Sequence, residues 1–215
     1  DFGTTVHMDK TRAVIKVQDG CDRFCSYCII PYARGKVRSR KIKSVVDEVK
    51  SLAQNEVKEI VITGIHIASY GKDFKDGTTL IDLLEELNKI EGIERIRLGS
   101  IEPTIINDDF LNRLTKLNKI CHHFHLSLQS GCDETLKRMN RRYTIEEFKT
   151  AVYLLRKRYD DVVLTTDIIV GFPGETKEEF ETTYNNLKEI KFYKMHVFKY
   201  SRRKGTKADK MPNQI

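Results

Sequence analysis

The chain has 215 residues, enough to bury one continuous α/β core, and carries 38 Lys and Arg against 31 Asp and Glu. The net charge of +7 favours a polyanionic partner. Three of the five cysteines crowd together, which excludes the disulfide framework of a small secreted protein, and no apolar run approaches the roughly 18 residues of a membrane span.

A reducing, cytoplasmic setting without a membrane partner is therefore expected. The opening "DFGTTVHMDK" has no apolar signal core, and the chain starts without methionine and stops at "MPNQI", so it reads as an excised piece of something longer.

In chain order, short β-branched runs alternate with stretches of helical periodicity. The first predicted strand, Ala13 to Val17, is followed by an unusually long polar loop from Cys21 to Ser44. A helix follows from Ser44 to Gln54, with Ser44 as N-cap and Val45, Val49, Leu52 and Ala53 on one face. Strands Glu59 to Thr63, Arg95 to Gly99 and Phe124 to Leu128 come next, with helices Thr79 to Ile90, Asn107 to Leu117 and Thr144 to Arg158 after them in turn. Strand Val162 to Val170, helix Thr176 to Ile190 and strand Lys194 to Tyr200 complete the pattern, and Thr144/Glu147 and Thr176/Glu179 read as capping boxes. Strands that alternate with helices in β-first order imply a parallel sheet, either doubly wound or curled into a partial barrel. Both architectures put function at the carboxyl ends of the strands.

Cys21-x3-Cys25-x2-Cys28 lies in the long loop, directly after the first strand. A structural zinc site usually pairs C-x2-C with a second ligand pair, and none is present. Strand alternation puts His123 and His125 on one face and His122 on the other, which argues against a histidine pair at the metal. Thiolates also hold iron–sulfur clusters, and three on a [4Fe–4S] cube leave one iron open. Cys121 and Cys132 have no ligand spacing and read as small packing residues. His66, a loop histidine without a partner in sequence, reads as a surface residue.

C-x3-C-x-Φ-C, with Tyr27 as the aromatic, resembles the signature of the radical SAM superfamily. "VITGIHIASYGKD", "RLGSIEP", "HLSLQSGCDETLKRMNRRYT" and "DIIVGFPGETKEEF" extend the likeness over nearly the whole chain and are similar to the radical domain of the methylthiotransferases. The wording is closest to the branch acting on N6-threonylcarbamoyladenosine beside the tRNA anticodon. Other branches modify isopentenyladenosine in tRNA or a ribosomal-protein aspartate. The resemblance implies a partial (βα)6 TIM-like barrel over residues 1–215, a [4Fe–4S] cluster on Cys21, Cys25 and Cys28, and S-adenosylmethionine (SAM) on the open iron. It also implies a second [4Fe–4S] cluster in an amino-terminal domain and a carboxyl-terminal RNA-binding domain, both outside this chain. Such a fragment is expected to cleave SAM without methylthiolating tRNA.

The same resemblance singles out SAM-binding candidates. Tyr27 is one, and Gly64 offers backbone groups to the SAM amino group, since a glycine permits close approach. Alone, "GSIEP" reads as a turn with a solvent-exposed carboxylate; the family makes Ser100 and Glu102 pocket candidates. Gln129 suits the ribose hydroxyls, because an amide both donates and accepts. Arg142 is assigned to the methionyl carboxylate. Asp167, opposed to Ile168 in its strand, and Val170, at the family's adenine position, complete the set.

Two basic stretches suggest a collar for RNA phosphates: Arg34, Lys36, Arg38 and Arg40 with Lys41 and Lys43, and Arg202 and Arg203 with Lys199, Lys204 and Lys207. The expected partners are a tRNA anticodon stem-loop and a reductant such as flavodoxin or ferredoxin, met by a monomer. Tyr32 reads either as a base-stacking ring or as core. A non-catalytic iron–sulfur protein and a simple RNA-binding module remain the alternatives from other classes.

Overall fold

The computed structural model describes residues 5–6 and 11–215. Strands β1 (Thr5–Val6), β2 (Arg12–Asp19), β3 (Arg38–Ser39), β4 (Glu59–Gly64) and β5 (Arg95–Leu98) form one sheet, and β6 (His123–His125), β7 (Val163–Val170) and β8 (Lys194–Lys199) a second. Parallel bridges Ile96↔Ile120 and Ile101↔Leu126 join the two, so β2-β4-β5-β6-β7-β8 runs parallel through six strands. The result is a curled half-barrel with helices on its convex side, the expected fold class.

Alternation on β2 shows why the sheet curls around a one-sided core. Ala13, Ile15 and Val17 are fully buried towards the helices, whereas Arg12 and Val14 face the concave interior and stay exposed. Helix α2 (Ile42–Gln54) buries Val45, Val49 and Leu52 against this layer. Its start corrects the Ser44 cap: the helix begins at Ile42, Lys41 occupies the N-cap without a side-chain bond, and Ser44 lies inside the first turn, where its Oγ accepts from Arg40. Helix α3 (Leu80–Asn88) opens on a capping box of Thr79 and Asp82 and buries five side chains, from Leu80 to Leu87. Helices α6 (Ile145–Arg158) and α7 (Lys177–Ile190) open on the expected Thr144/Glu147 and Thr176/Glu179 boxes.

Three short elements escape the sequence pattern. The long first loop contains α1 (Ile30–Arg34) and β3, whose Ser39 and Arg38 pair antiparallel with Gln18 and Asp19 at the end of β2. Helix α4 (Asp108–Leu114) is shorter than expected, and α5 (Asp133–Arg138) follows β6 where no helix was predicted. At the amino-terminal end of the strands, Glu59 is only 4% exposed and accepts from the Nε atoms of Arg12, Arg95 and Arg97, each at 2.9 Å. Burial would raise its pKa, but these guanidiniums outweigh that and hold it below the usual carboxylate range. One buried carboxylate thus ties β2, β4 and β5 together. Among the described residues, no helix is long and apolar enough to cross a membrane.

Candidate cluster and cofactor site

Gly20 makes the turn that brings the cysteine loop back over the sheet. Its φ is +74°, and a Cβ there would stand 1.9 Å from the Lys36 carbonyl oxygen, so only glycine fits. The turn is closed by Cys21 N–H donating to Gly35 O at 3.0 Å. From it, Cys21, Cys25 and Cys28 project half-buried and free into one cavity of about 270 Å³ at the carboxyl ends of β2, β4, β5 and β6. A larger depression of about 640 Å³ lies between α3 and α4 but holds neither cysteine nor histidine, and its Arg113 is neutralised by Asp82 and Glu85. The chemistry therefore belongs to the smaller cavity.

The three thiols fit a cluster better than a single ion. Among the described residues, no group of three or more His, Cys, Asp and Glu converges to hold one metal ion. A cube binds each thiolate at a separate corner and needs no such convergence. Burial pushes the Cys21 and Cys28 thiols up, so iron binding must displace their protons.

Glu102 organises the facing wall. It is 2% exposed, with Arg23 bonded to Oε2, His66 Nε2 3.3 Å from the same oxygen and Arg141 Nη2 3.6 Å from Oε1. Burial alone would raise its pKa, but the His66 imidazole and the Arg141 and Arg23 charges overcome that and hold it at about 2. The solvent-exposed turn expected from "GSIEP" is thus corrected: the carboxylate is sealed by two arginines and an imidazole supplied by three separate loops. His66 is likewise not a surface residue. Its Nδ1 sits 2.7 Å from Ser69 Oγ, and its backbone N–H donates to Gln18 Oε1 at 2.7 Å. The buried Gln18 amide also donates to the carbonyls of Asp19 and Gly20, both at 2.7 Å, tying the cysteine turn to the loop after β4.

Of the predicted SAM candidates, Tyr27, Gly64, Ser100, Glu102 and Gln129 line the cavity together with the cysteines. The protein's own backbone also comes close at Gly64. Its missing Cβ would meet the Gln18 carbonyl oxygen at 2.8 Å, so glycine is needed there by the protein's own backbone.

Arg142, Asp167 and Val170 are placed elsewhere. Arg142 is exposed in a separate depression beside Asp133 and Glu147, while its neighbour Arg141 enters the cavity and reaches Cys25 Sγ, Ser127 O and Tyr143 Oη at 3.4, 3.2 and 2.9 Å. Val170 packs against the main core on the helix side of β7, as Ile168 does, whereas Ile169 joins the small apolar cluster beside Tyr27 and Phe172. Asp167 faces the barrel interior below the cavity, opposite to Ile168 as expected, with Oδ2 3.2 Å from His125 Nε2.

The second basic stretch leads into a segment that packs against the cysteine loop. Ala208 N–H donates to Ser26 O at 2.7 Å, which folds the segment after β8 over the cysteine loop, and the Arg203 charge acts on the Cys28 thiol. Several of the cations are already committed: Arg40 to Glu48 at 2.5 Å, Arg38 to Asp19 at 3.4 Å and Arg202 to Asp209 at 2.8 Å. Arg34, Lys36 and Arg203 make no ion pair with an acidic side chain among the described residues. Tyr32 is 66% exposed, which settles it as a surface ring and not core.

Comparison with known proteins agrees with this geometry. The family model of the Radical SAM superfamily matches residues 15–187. The chain is 48% identical over 208 residues to the threonylcarbamoyladenosine tRNA methylthiotransferase MtaB of Bacillus subtilis, covering 96% of this chain and 46% of that protein. It is 45% identical over 211 residues to the tRNA-2-methylthio-N(6)-dimethylallyladenosine synthase of Caldicellulosiruptor saccharolyticus, covering 98% and 45%. The chain thus spans about half the length of the curated relatives it matches. Among solved structures, the radical S-adenosylmethionine methyltransferase TsrM of Kitasatospora setae superposes with a TM-score of 0.70 at 22% identity, over 86% of this chain and 35% of that one. Coproporphyrinogen III oxidase of Escherichia coli gives a TM-score of 0.62 at 18% identity, over 92% and 46%. These two likenesses concern the fold. The match over most of the chain, the curled parallel sheet and the three cavity-facing cysteines lead to one statement: the chain belongs to the radical SAM superfamily.

Proposed function

We propose that this chain is the radical domain of a longer tRNA methylthiotransferase that modifies carbon 2 of N6-threonylcarbamoyladenosine next to the anticodon. Relatives of both the threonylcarbamoyl and the dimethylallyl type support the reaction class, and each is about twice as long as this chain. The second cluster, the RNA-binding domain, the external reductant and the cytoplasmic setting belong to the same reading.

The observation that carries the choice of substrate is the wall beneath the cavity. Ser127 and Gln129 line the cavity, and two residues earlier on the same face comes His125. From Asp167 Oδ2 the wall continues through His125 Nε2 at 3.2 Å, from His125 Nδ1 to Thr165 Oγ1 at 3.0 Å, and on to His123 Nε2 at 3.3 Å. A threonylcarbamoyl arm, with its amides, hydroxyl and carboxylate, finds donors and acceptors along such a wall. A dimethylallyl arm would set apolar carbons against this polar wall with no hydrogen bond to gain, which is how polar sites disfavour apolar analogues.

Cys21, Cys25 and Cys28 would hold the cluster, and Arg141, Glu102 and Gln129 would orient SAM beside it. When bound, the cluster supplies the single electron that cleaves SAM reductively. The chain itself positions the site: Gln18 and Gly20 fix the thiol loop, Glu102 gathers Arg23, His66 and Arg141, and the Ala208 N–H braces the loop at Ser26 O.

Mass spectrometry of tRNA nucleosides from source cells lacking the full-length protein tests this. Loss of the methylthio form of threonylcarbamoyladenosine, with the isopentenyl form retained, supports the reading. The reverse pattern moves the substrate to isopentenyladenosine, and retention of both rejects tRNA methylthiolation.

A further inference from the structure

Phe24 stands between two cavity-lining residues, Arg23 and Cys25, yet its own ring turns outward and is 47% exposed. Its backbone has φ +52°, the left-handed region that a bulky side chain avoids. Asn140 holds it there, donating from Nδ2 to Phe24 O at 2.8 Å and to Arg23 O at 3.3 Å. The ring makes an edge-to-face pair with Tyr32 on α1, with centroids 5.6 Å apart and planes at 76°, and Tyr32 is itself 66% exposed.

A strained backbone that presents an aromatic pair to water gains nothing from burial, so its use lies in what it meets. The charge around it selects the partner. Arg34 and Lys36 follow Tyr32 in the same segment and make no ion pair within 4 Å of an acidic side chain among the described residues, although the Arg34 charge is felt at Asp19, and Arg38 pairs with Asp19 at 3.4 Å. Flat aromatic faces beside cations that lack a close acidic partner are the chemistry that takes unstacked nucleobases and their phosphates.

We infer that Phe24 and Tyr32 form a stacking ledge at the mouth of the cavity, on which a single-stranded RNA base next to the modified nucleotide is laid. The inference rests on the RNA-modifying reading above but adds to it a specific contact. The ledge holds the neighbouring base out of the stack, so that the target adenine can enter the cavity between Arg23 and Arg141.

The test is equilibrium binding of a labelled RNA hairpin with a single-stranded purine loop to the iron-loaded chain, with a loop-free RNA duplex alongside. Tyr32→Ala and Phe24→Leu should each weaken hairpin binding about 5- to 150-fold, the range of one stacked base. Tyr32→Phe should bind as the parent does, and iron content should not change in either Tyr32 variant. Because no phosphate contact is removed, the salt dependence of binding should keep its slope. Hairpin affinity unchanged in both Tyr32→Ala and Phe24→Leu, or duplex affinity falling equally, overturns the ledge while leaving the RNA-modifying reading intact. If the parent chain binds neither RNA, the ledge falls together with its RNA partner.

Discussion

Arg141 Nη1 donates to Cys25 Sγ across 3.4 Å, although 116 residues separate them in the chain. The same guanidinium lies 3.6 Å from Glu102 and its side chain is 8% exposed, so it couples the thiol loop to the buried carboxylate and to the backbone just after β6. Arg141→Met should therefore weaken SAM binding to the iron-loaded chain by about 10- to 100-fold, the worth of a lost charged hydrogen bond. Arg142→Met should stay within about 2-fold, as surface substitutions do. Equilibrium SAM binding checks both, and a loss at Arg142 with none at Arg141 would reverse the assignment.

Acid should act on the structure through Glu102. Its folded pKa is about 2 against an ordinary 4.5, so its contribution is fully present above pH 4.5 and is lost as pH falls towards 2. That drop corresponds to about 3 kcal/mol of stability at neutral pH. Urea midpoints measured between pH 6 and pH 3 should fall steeply for the parent chain. In Glu102→Gln they should start lower and vary less over the same range.

Iron retention should separate the three loop cysteines from Cys121. Cys21→Ala, Cys25→Ala and Cys28→Ala should each lose the reconstituted cluster, because all three thiols face one cavity. Cys121→Ser should keep it, since that thiol sits beside Arg97, Arg95 and Glu59 at the other end of the barrel. Iron content and the visible absorbance of the reconstituted variants provide the measurement.

Glycine substitutions should show where the thiol loop is tight. At Gly20 an added Cβ meets backbone at 1.9 Å, whereas at Gly77, with φ +84°, it meets nothing within 4 Å. Gly77→Ala should cost about 1 kcal/mol from its left-handed backbone alone. Gly20→Ala should cost several-fold more and release iron as well. Thermal unfolding, with iron analysis of the same samples, tests the contrast.

How much of this was legible in the sequence follows the range of the interactions. The capping boxes at Thr144 and Thr176, the alternation that opposes Asp167 to Ile168, and the three-thiol loop are local, and they stand as read. The box at Thr79 escaped because Asp82 plays the part usually given to Glu or Gln. Arg141 was missed in favour of Arg142 because Asn140, with φ +57°, breaks the phase after α5, and no periodic rule carries through a left-handed residue. His66 and Glu102 resembled surface residues because what buries them, Arg23, Arg141 and Gln18, comes from distant loops. The same cause hid the folding of the segment around Ala208 onto Ser26. Phe24 differs: its exposure depends on a single backbone angle that composition does not announce.

The central claim is that Cys21, Cys25 and Cys28 create a cluster site that cleaves SAM reductively within these 215 residues. The direct measurement is 5'-deoxyadenosine formed by the anaerobically reconstituted chain with SAM and dithionite. The account predicts 5'-deoxyadenosine and methionine in equal amounts, none from Cys25→Ala, and no methylthiolated nucleoside when tRNA is added. A chain that holds iron and binds SAM but forms no 5'-deoxyadenosine would contradict it.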